Sequence, residues 1–340
     1  PFPGWKKVST GLEADPGNPF RLSSPSYDIL ADSPIEIGNQ DIISFTAAGI
    51  PHEIAVYGGG NYDREKLADD FTRIIEELTA VFGENPCERY VFIVHFLPSG
   101  GGGLEHLNST TLQFPRQALE SEKGWTSFMS LAAHEYFHLW NVKRLRPIAL
   151  GPFDYDRENY THMLWVAEGF TAYYDNWIVR RTGFFSPEEY LQEVTGLIGT
   201  VENTPGNKVQ AVTEASFDAW IKYYRPNENS YNTTISYYSK GAILGLMIDM
   251  AIRRHSGGKQ SIDDLMSYLY RRFYKEMERG YKDEEFREAV EKFAGPMGDF
   301  FEKYVQGTDP IPYNDFFETV GLKLVRTQPY LQQAYLGAQL

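Results

Sequence analysis

Cysteine is almost absent from this 340-residue chain, and the single one, Cys87, excludes any internal disulfide. Packing alone must hold the core, which suits the cytoplasm and equally a bacterial periplasmic protein without bridges. Long apolar runs are missing as well: nothing approaches the roughly 20 residues that span a bilayer. Positive charge is scarce, with 32 Lys and Arg against 46 Asp and Glu and a formal net charge of -14. Such a surface repels phosphate, so no nucleic-acid partner is expected; it attracts cationic groups such as the free amino end of a peptide. No charged-then-apolar leader follows Pro1, and the expectation is that a signal peptide has been removed or that this is a piece of a longer protein. Repeats and low-complexity tracts are also missing.

What is present is ordinary globular composition, 42% hydrophobic and 23% charged, with a heavy 15% of aromatics that predicts a ring-rich interior. Residues 1–60 alternate short apolar runs with Pro, Gly and Ser clusters. Tyr27-Asp28-Ile29-Leu30 and Asp41-Ile42-Ile43-Ser44-Phe45 read there as β structure with irregular connections. Gly58-Gly59-Gly60 marks a break, so 1–60 is expected to be an amino-terminal β segment, the remainder of a β domain. Helical spacing runs from Asp63 to Phe82, and Arg89 to Leu97 is a strand. Gly100 to Gly103 let the backbone turn tightly or let a ligand come close. Helices are expected at about Ser121 to Val142, Leu164 to Arg181 and Ser236 to His255, with shorter ones at 283–294 and 297–306. Capping boxes open two more at Ser186-Pro187-Glu188-Glu189 and Ser261-Ile262-Asp263-Asp264. Strands early and helices late predict an α+β fold, with 61–326 as the main domain and 327–340 as a tail or the stub of a further domain.

The chemistry concentrates in Leu131-Ala132-Ala133-His134-Glu135-Tyr136-Phe137-His138-Leu139-Trp140. His134 and His138 stand one helical turn apart, so both imidazoles can reach one ion. Glu135 then sits beside the ion, placed to take a proton from a metal-bound water. The plain alternative is a buried helix whose histidines only satisfy local hydrogen bonds. A hydrolytic zinc site needs three protein ligands and one open position. The third ligand is expected to be Glu168, because a carboxylate after the apolar run Met163-Leu164-Trp165-Val166 needs a compensating charge. Glu158, in the polar stretch Asp156-Arg157-Glu158-Asn159, has the other plausible spacing. Zinc suits two imidazoles and a carboxylate, although cobalt or manganese can substitute.

HEYFH followed by LWNVKRLRP and WVAEGFTAYY, together with GGLEH and YYSKGA, resembles the glycyl aminopeptidase family. That family is a branch of the thermolysin-like zinc peptidases, related more distantly to the aminopeptidase N group. The resemblance covers roughly residues 27 to 325. It implies a thermolysin-like catalytic domain, a mixed β-sheet lobe followed by a mostly helical lobe, over 61–326. It implies one zinc ion held by His134, His138 and Glu168, with Glu135 as general base. Tyr238 falls on the tyrosine that hydrogen-bonds the oxyanion, and Glu105 on the glutamate that holds the substrate's free α-amine. Gly102 and Gly103, on the strand near Leu104, would lie along the peptide by edge addition. Members usually carry a longer amino-terminal β domain and a carboxy-terminal PDZ domain; here the first is expected only in part and the second is expected to be missing.

The implied activity is removal of small amino-terminal residues, Gly or Ala, from peptides with a free amino end. A zinc endopeptidase with the same metal set, or a non-catalytic peptide-binding protein with a structural zinc, are the alternatives. Several residues keep two readings. Tyr238 has Tyr237 beside it, and either can be core. Lys143, Arg144 and Arg146 suit a substrate carboxylate, but a salt-bridged loop is the plainer reading. Asp175 can orient a ligand histidine or lie on the surface. Asp249 reads as structurally paired, Cys87 has no activating partner, and His106 is left unassigned.

Overall fold

The alternating and fully apolar runs between Asp41 and Pro115 assemble into one five-stranded mixed sheet in a computed structural model that describes residues 2–326. Its strands are β5 (Asp41–Ala47), β6 (Ile50–Tyr57), β7 (Tyr90–Leu97), β8 (Gly102–Glu105) and β9 (Ser109–Pro115), in the order β5-β6-β7-β9-β8. β6, β7 and β9 run parallel, and β5 and β8 flank them antiparallel. β7 is apolar almost throughout because both of its faces are covered, which is why its sequence reads as a continuous run. Ahead of the sheet, β1 (Lys7–Thr10) pairs with β4 (Ile35–Gly38), and β2 (Glu13–Asp15) with β3 (Asn18–Ser23). The sheet crosses the glycine break: β6, before Gly58, pairs in register with β7 beyond it. The first sixty residues therefore supply two of the five strands.

Tyr27–Leu30, expected as β structure, is instead part of a short helix, α1 (Tyr27–Ala31), capped by the Ser26 hydroxyl accepting from the Ile29 N–H. None of its residues is buried, so the local cap prevails over apolar content that no core claims. α2 (Arg64–Phe82) follows the helical spacing, capped by Asp63 and closed by Gly83 in the left-handed region at φ 81°. It packs against the sheet and against α3 (Glu122–Phe137). α3 buries Phe128, Met129, Ala132, Tyr136 and Phe137 in an aromatic interior. Phe82 stacks on Trp140 at 4.8 Å and Phe137 on Tyr174 at 4.2 Å.

Two helix boundaries depart from the sequence reading, and both departures fall at the functional residues. α3 stops at His138 rather than at Val142, because the next residues turn tightly, with the Leu139 and Trp140 N–H groups reaching back only three residues. The single helix expected from Leu164 to Arg181 is two, α4 (Leu164–Ala167) and α5 (Gly169–Arg181), broken at Glu168. α6 (Pro187–Asn203) opens on the predicted capping box, α7 (Val212–Phe217) and α8 (Ser230–Thr233) are short, and α9 (Tyr237–Ser256) is the buried central helix. α5 and α9 touch at Gly169 and Gly241, where a Cβ on either would strike the other's backbone. The chain is thus an α+β protein with a sheet lobe and a helical lobe. No helix among the described residues is long and apolar enough to cross a membrane. The expected tail, 327–340, lies outside the described residues.

Candidate metal centre and active site

His134 and His138 project from the last turn of α3 towards the kink that carries Glu168. The Oε2 atom of Glu168 lies 3.4 Å from His134 Nε2 and 3.3 Å from His138 Nε2. One donor atom from each residue falls within 4.8 Å of the others. The far nitrogens are committed elsewhere. His134 Nδ1 is 3.0 Å from Asp175 Oδ2, and His138 Nδ1 is 2.6 Å from the Asn141 carbonyl. Both of those oxygens accept, so each Nδ1 carries a proton and each Nε2 faces Glu168. With Nδ1 committed in this way, Nε2 is the nitrogen that a metal would take in place of a proton.

The early end of α3 now has a cause. The turn after His138 brings the Asn141 carbonyl back onto the imidazole. The Asn141 amide meanwhile donates to the Val166 and Ala167 carbonyls and to Thr171 Oγ1, all at 3.1 Å. Asn141 therefore ties the end of α3 to the break that presents Glu168. Sequence reasoning missed it; the available signal was an amide side chain three positions after the second histidine. Glu158, the competing ligand, is exposed on a loop and belongs to neither metal-capable group among the described residues.

The electrostatics show a cluster that demands positive charge. Burial works against the Glu168 carboxylate, but the His138 and His134 imidazoles outweigh it and hold the group well below the usual range. Burial likewise works against charge on His138, and Glu168 and Glu105 overcome it, pushing the imidazole up to about 9. His134 is raised too, against burial, by hydrogen bonds to Asp175 and Glu168. Protons supply the countercharge here. A divalent cation meets the same demand, and two imidazoles with one carboxylate are the donor types zinc takes.

Glu135 lies beside this group, 4% exposed, with Oε2 buried and unpartnered among the described residues. Burial pushes its carboxyl up to about 7. It is pressed against the edge strand: a Cβ at Gly103 would fall inside contact distance of the Glu135 carboxylate, so any larger residue there must displace that carboxylate. Glu105, on the same strand, brings a carboxylate oxygen within 4.8 Å of donor atoms of Glu135 and His138. β8 is the outer strand of the sheet, with Gly102, Gly103 and Leu104 exposed along it.

The Tyr238 ring stacks over His134, centroids 6.3 Å apart. Tyr237 is buried, whereas Tyr238 is half-buried. Both hydroxyls lie 3.3 Å from the hydroxyl of Tyr224, another residue sequence reasoning did not single out. Burial and the Glu168 carboxylate raise the Tyr238 hydroxyl far above its ordinary range, so it stays protonated and able to donate. Asp175 is buried against His134, on the orienting side of its two readings.

The basic loop serves the fold. Lys143 pairs with Asp32 at 2.6 Å, Arg144 is buried and donates to the Leu107 and Leu139 carbonyls, and the Arg146 guanidinium packs on Gly151. Asp32 also accepts from the Leu107 N–H and meets His106, clamping the β8–β9 turn to the end of α3. Asp249 is paired as expected, accepting from Tyr173, Arg253 and the Ile262 N–H. Cys87 is buried, and burial pushes its thiol up.

Residues 127–244 match the family model described as M61 glycyl aminopeptidase. The chain is also similar to a solved aminopeptidase N family protein from Idiomarina loihiensis. Identity is 33% and the TM-score 0.88, covering 92% of this chain and 55% of that one. It is also similar in fold to an M1 zinc metallopeptidase from Deinococcus radiodurans, at 15% identity and TM-score 0.56, covering 83% of this chain and 55% of that one. A mutant of an M1 zinc metallopeptidase from that organism, solved with a Tyr-Ser-Ala substrate, gives 13% and 0.55 over the same shares. This chain therefore spans about half the length of the structures it matches. No curated protein matches it.

Proposed function

We propose that this chain, a member of the M61 glycyl aminopeptidase family over residues 127–244, is a zinc-dependent aminopeptidase. It would remove small amino-terminal residues, Gly or Ala, from peptides with a free amino end. His134, His138 and Glu168 hold a single zinc ion. When bound, the ion polarises the scissile carbonyl and lowers the pKa of water towards ~7. Glu135 takes the proton from the attacking water and passes it to the departing amine. Glu135 is buried directly beside the ligand histidines, within reach of a water held there. Tyr238 donates its hydroxyl hydrogen to the oxygen that gains charge in the transition state. Glu105 receives the substrate ammonium, and the open edge at Gly102 and Gly103 receives the peptide backbone.

The observation that carries the proposal is the convergence of two Nε2 atoms and one carboxylate oxygen, with both Nδ1 atoms locked by acceptors. The Gly and Ala preference is drawn from the family alone. Turnover of glycyl and alanyl amides, measured before and after chelation and again after zinc return, tests the metal dependence. Comparing free with amino-blocked peptides tests the role of Glu105. Equal cleavage of blocked peptides would favour an endopeptidase with the same metal set.

A further inference from the structure

Glu105 ends an edge strand whose upstream side is the glycine run Gly100 to Gly103, with no side chains to anchor it. The turn downstream is held at each of its residues. His106 Nδ1 donates to Asp32 Oδ1 at 3.3 Å, and the Leu107 N–H donates to Asp32 Oδ2 at 2.8 Å. Asn108 donates to the Gly11 carbonyl at 2.9 Å. Asp32 Oδ1 also meets Lys143 Nζ at 2.6 Å. Arg144 Nη1 donates both to the Leu107 carbonyl, at 2.9 Å, and to the Leu139 carbonyl, at 2.8 Å. Leu139 directly follows His138, so the turn after Glu105 is fastened to the end of the helix that presents the histidines. Burial works against the Asp32 carboxylate, but His106, Lys143 and the Leu107 amide hold it below its ordinary range, and it is charged at neutral pH.

We propose that Asp32 and Lys143 are positioning residues for specificity: they fix the separation between Glu105 and the metal cluster, so that a substrate's ammonium and its first carbonyl are met together. The inference rests on the aminopeptidase reading and supplies the origin of its register. A single carbon separates the ammonium nitrogen of an amino-terminal residue from its carbonyl carbon, so the two anchors must match closely. A misplacement of about 1 Å costs on the order of 10²-fold in such an arrangement. The anchors belong to different elements, Glu105 to β8 and His138 to α3, with a Glu105 carboxylate oxygen within 4.8 Å of a His138 donor atom. β8 has β9 as its one neighbour in the sheet among the described residues, so pairing alone leaves its tilt towards α3 open. The ion pair of Asp32 with Lys143, beside the Arg144 bridge, closes that freedom. Arg144 is buried within the fold, whereas Asp32 and Lys143 are half-buried and can be altered more gently.

The test measures, by calorimetry on the zinc-loaded chain, the binding of alanine hydroxamate and of propionohydroxamate, which differ only in the amino group. The unaltered chain should bind the alanine compound at least about tenfold more tightly, the share of one charge-assisted hydrogen bond. Glu105→Gln should bring that ratio close to one. Asp32→Asn and Lys143→Met should each lower it at least about threefold, and Lys143→Arg, which keeps the charge opposite Asp32, should retain most of it. A purely structural role would weaken both ligands alike and leave the ratio intact. A ratio that falls in Glu105→Gln but survives Asp32→Asn and Lys143→Met, or that falls as far in Lys143→Arg as in Lys143→Met, would overturn the positioning role and leave the aminopeptidase reading standing. A ratio near one in the unaltered chain, or no binding of either ligand, would remove both.

Discussion

The two sides of the candidate metal site are built on opposite principles. On the helical wall His138 and Asp175 are buried, His134 and Glu168 are half-buried, and each ligand histidine is held from behind by a hydrogen bond. The strand wall, Gly102 to Glu105, is an exposed sheet edge with glycine where side chains would otherwise stand. The first has little freedom to rearrange and suits fixed coordination. The second leaves backbone groups free, which suits a peptide that must arrive and leave. Glu135 is where the walls meet, since its carboxylate belongs to α3 and lies against Gly103.

Substitutions that strike the meeting point should cost most. Glu135→Gln keeps shape and removes proton acceptance. Turnover should fall by about 10²- to 10⁴-fold with an unchanged melting curve, and retained hydrolysis would remove Glu135 from the role. Gly103→Ala tests the strand wall from its own side. The added methyl displaces the Glu135 carboxylate, and a shift of about 1 Å in a catalytic group costs on the order of 10²-fold. Unaltered turnover there would mean that β8 yields freely and that the close approach has no consequence. Asp175→Asn loosens the helical wall from behind. Zinc affinity, followed by competition with a chelator, should weaken by about 10- to 100-fold, whereas a surface aspartate would leave it unchanged.

An effect on stability rather than on turnover lies under the floor that joins the walls. His52 on β6 is buried, with Nε2 2.9 Å from the Tyr136 hydroxyl of α3, and burial pushes its imidazole down to about 4. Folding therefore favours the neutral ring. Above pH 6.5 the group has no effect, and as pH falls from there through 4 the unfolded chain binds the proton first. Stability of about 3 kcal/mol is lost over that window. Denaturation of the unaltered chain and of His52→Gln, at pH 7.5 and pH 4.5, isolates this share. Equal losses in both proteins would show that His52 does not couple the sheet to α3.

The same contrast explains what was legible in the sequence. His134, Glu135 and His138 are local: one turn of helix brings them together, so their spacing carries their geometry. Glu168 was legible from the charge problem its apolar context creates. The break in the helix at that residue was not, because it depends on Asn141 reaching across from another element and on Gly169 meeting Gly241 in α9. Asp32 and Tyr224 were invisible for the same reason: Asp32 acts on residues more than seventy positions away, and Tyr224 meets α9 only through the fold. The sheet was read strand by strand in β7, but its extent was not. The pairing of β6 with β7 skips over the whole of α2, and glycines at 58–60 look like an ending where the chain merely turns. In α1, apolar residues without a core to enter left the local cap in charge.

One measurement bears most directly on the metal cluster and its use. The chelated protein is titrated with zinc while hydrolysis of alanyl-amide is followed. Activity should rise from nothing to a plateau at one ion per chain, and Glu168→Gln should abolish the rise at the same zinc concentrations. Full activity in the chelated protein, or an unaltered titration in Glu168→Gln, would contradict hydrolysis at a zinc held by His134, His138 and Glu168.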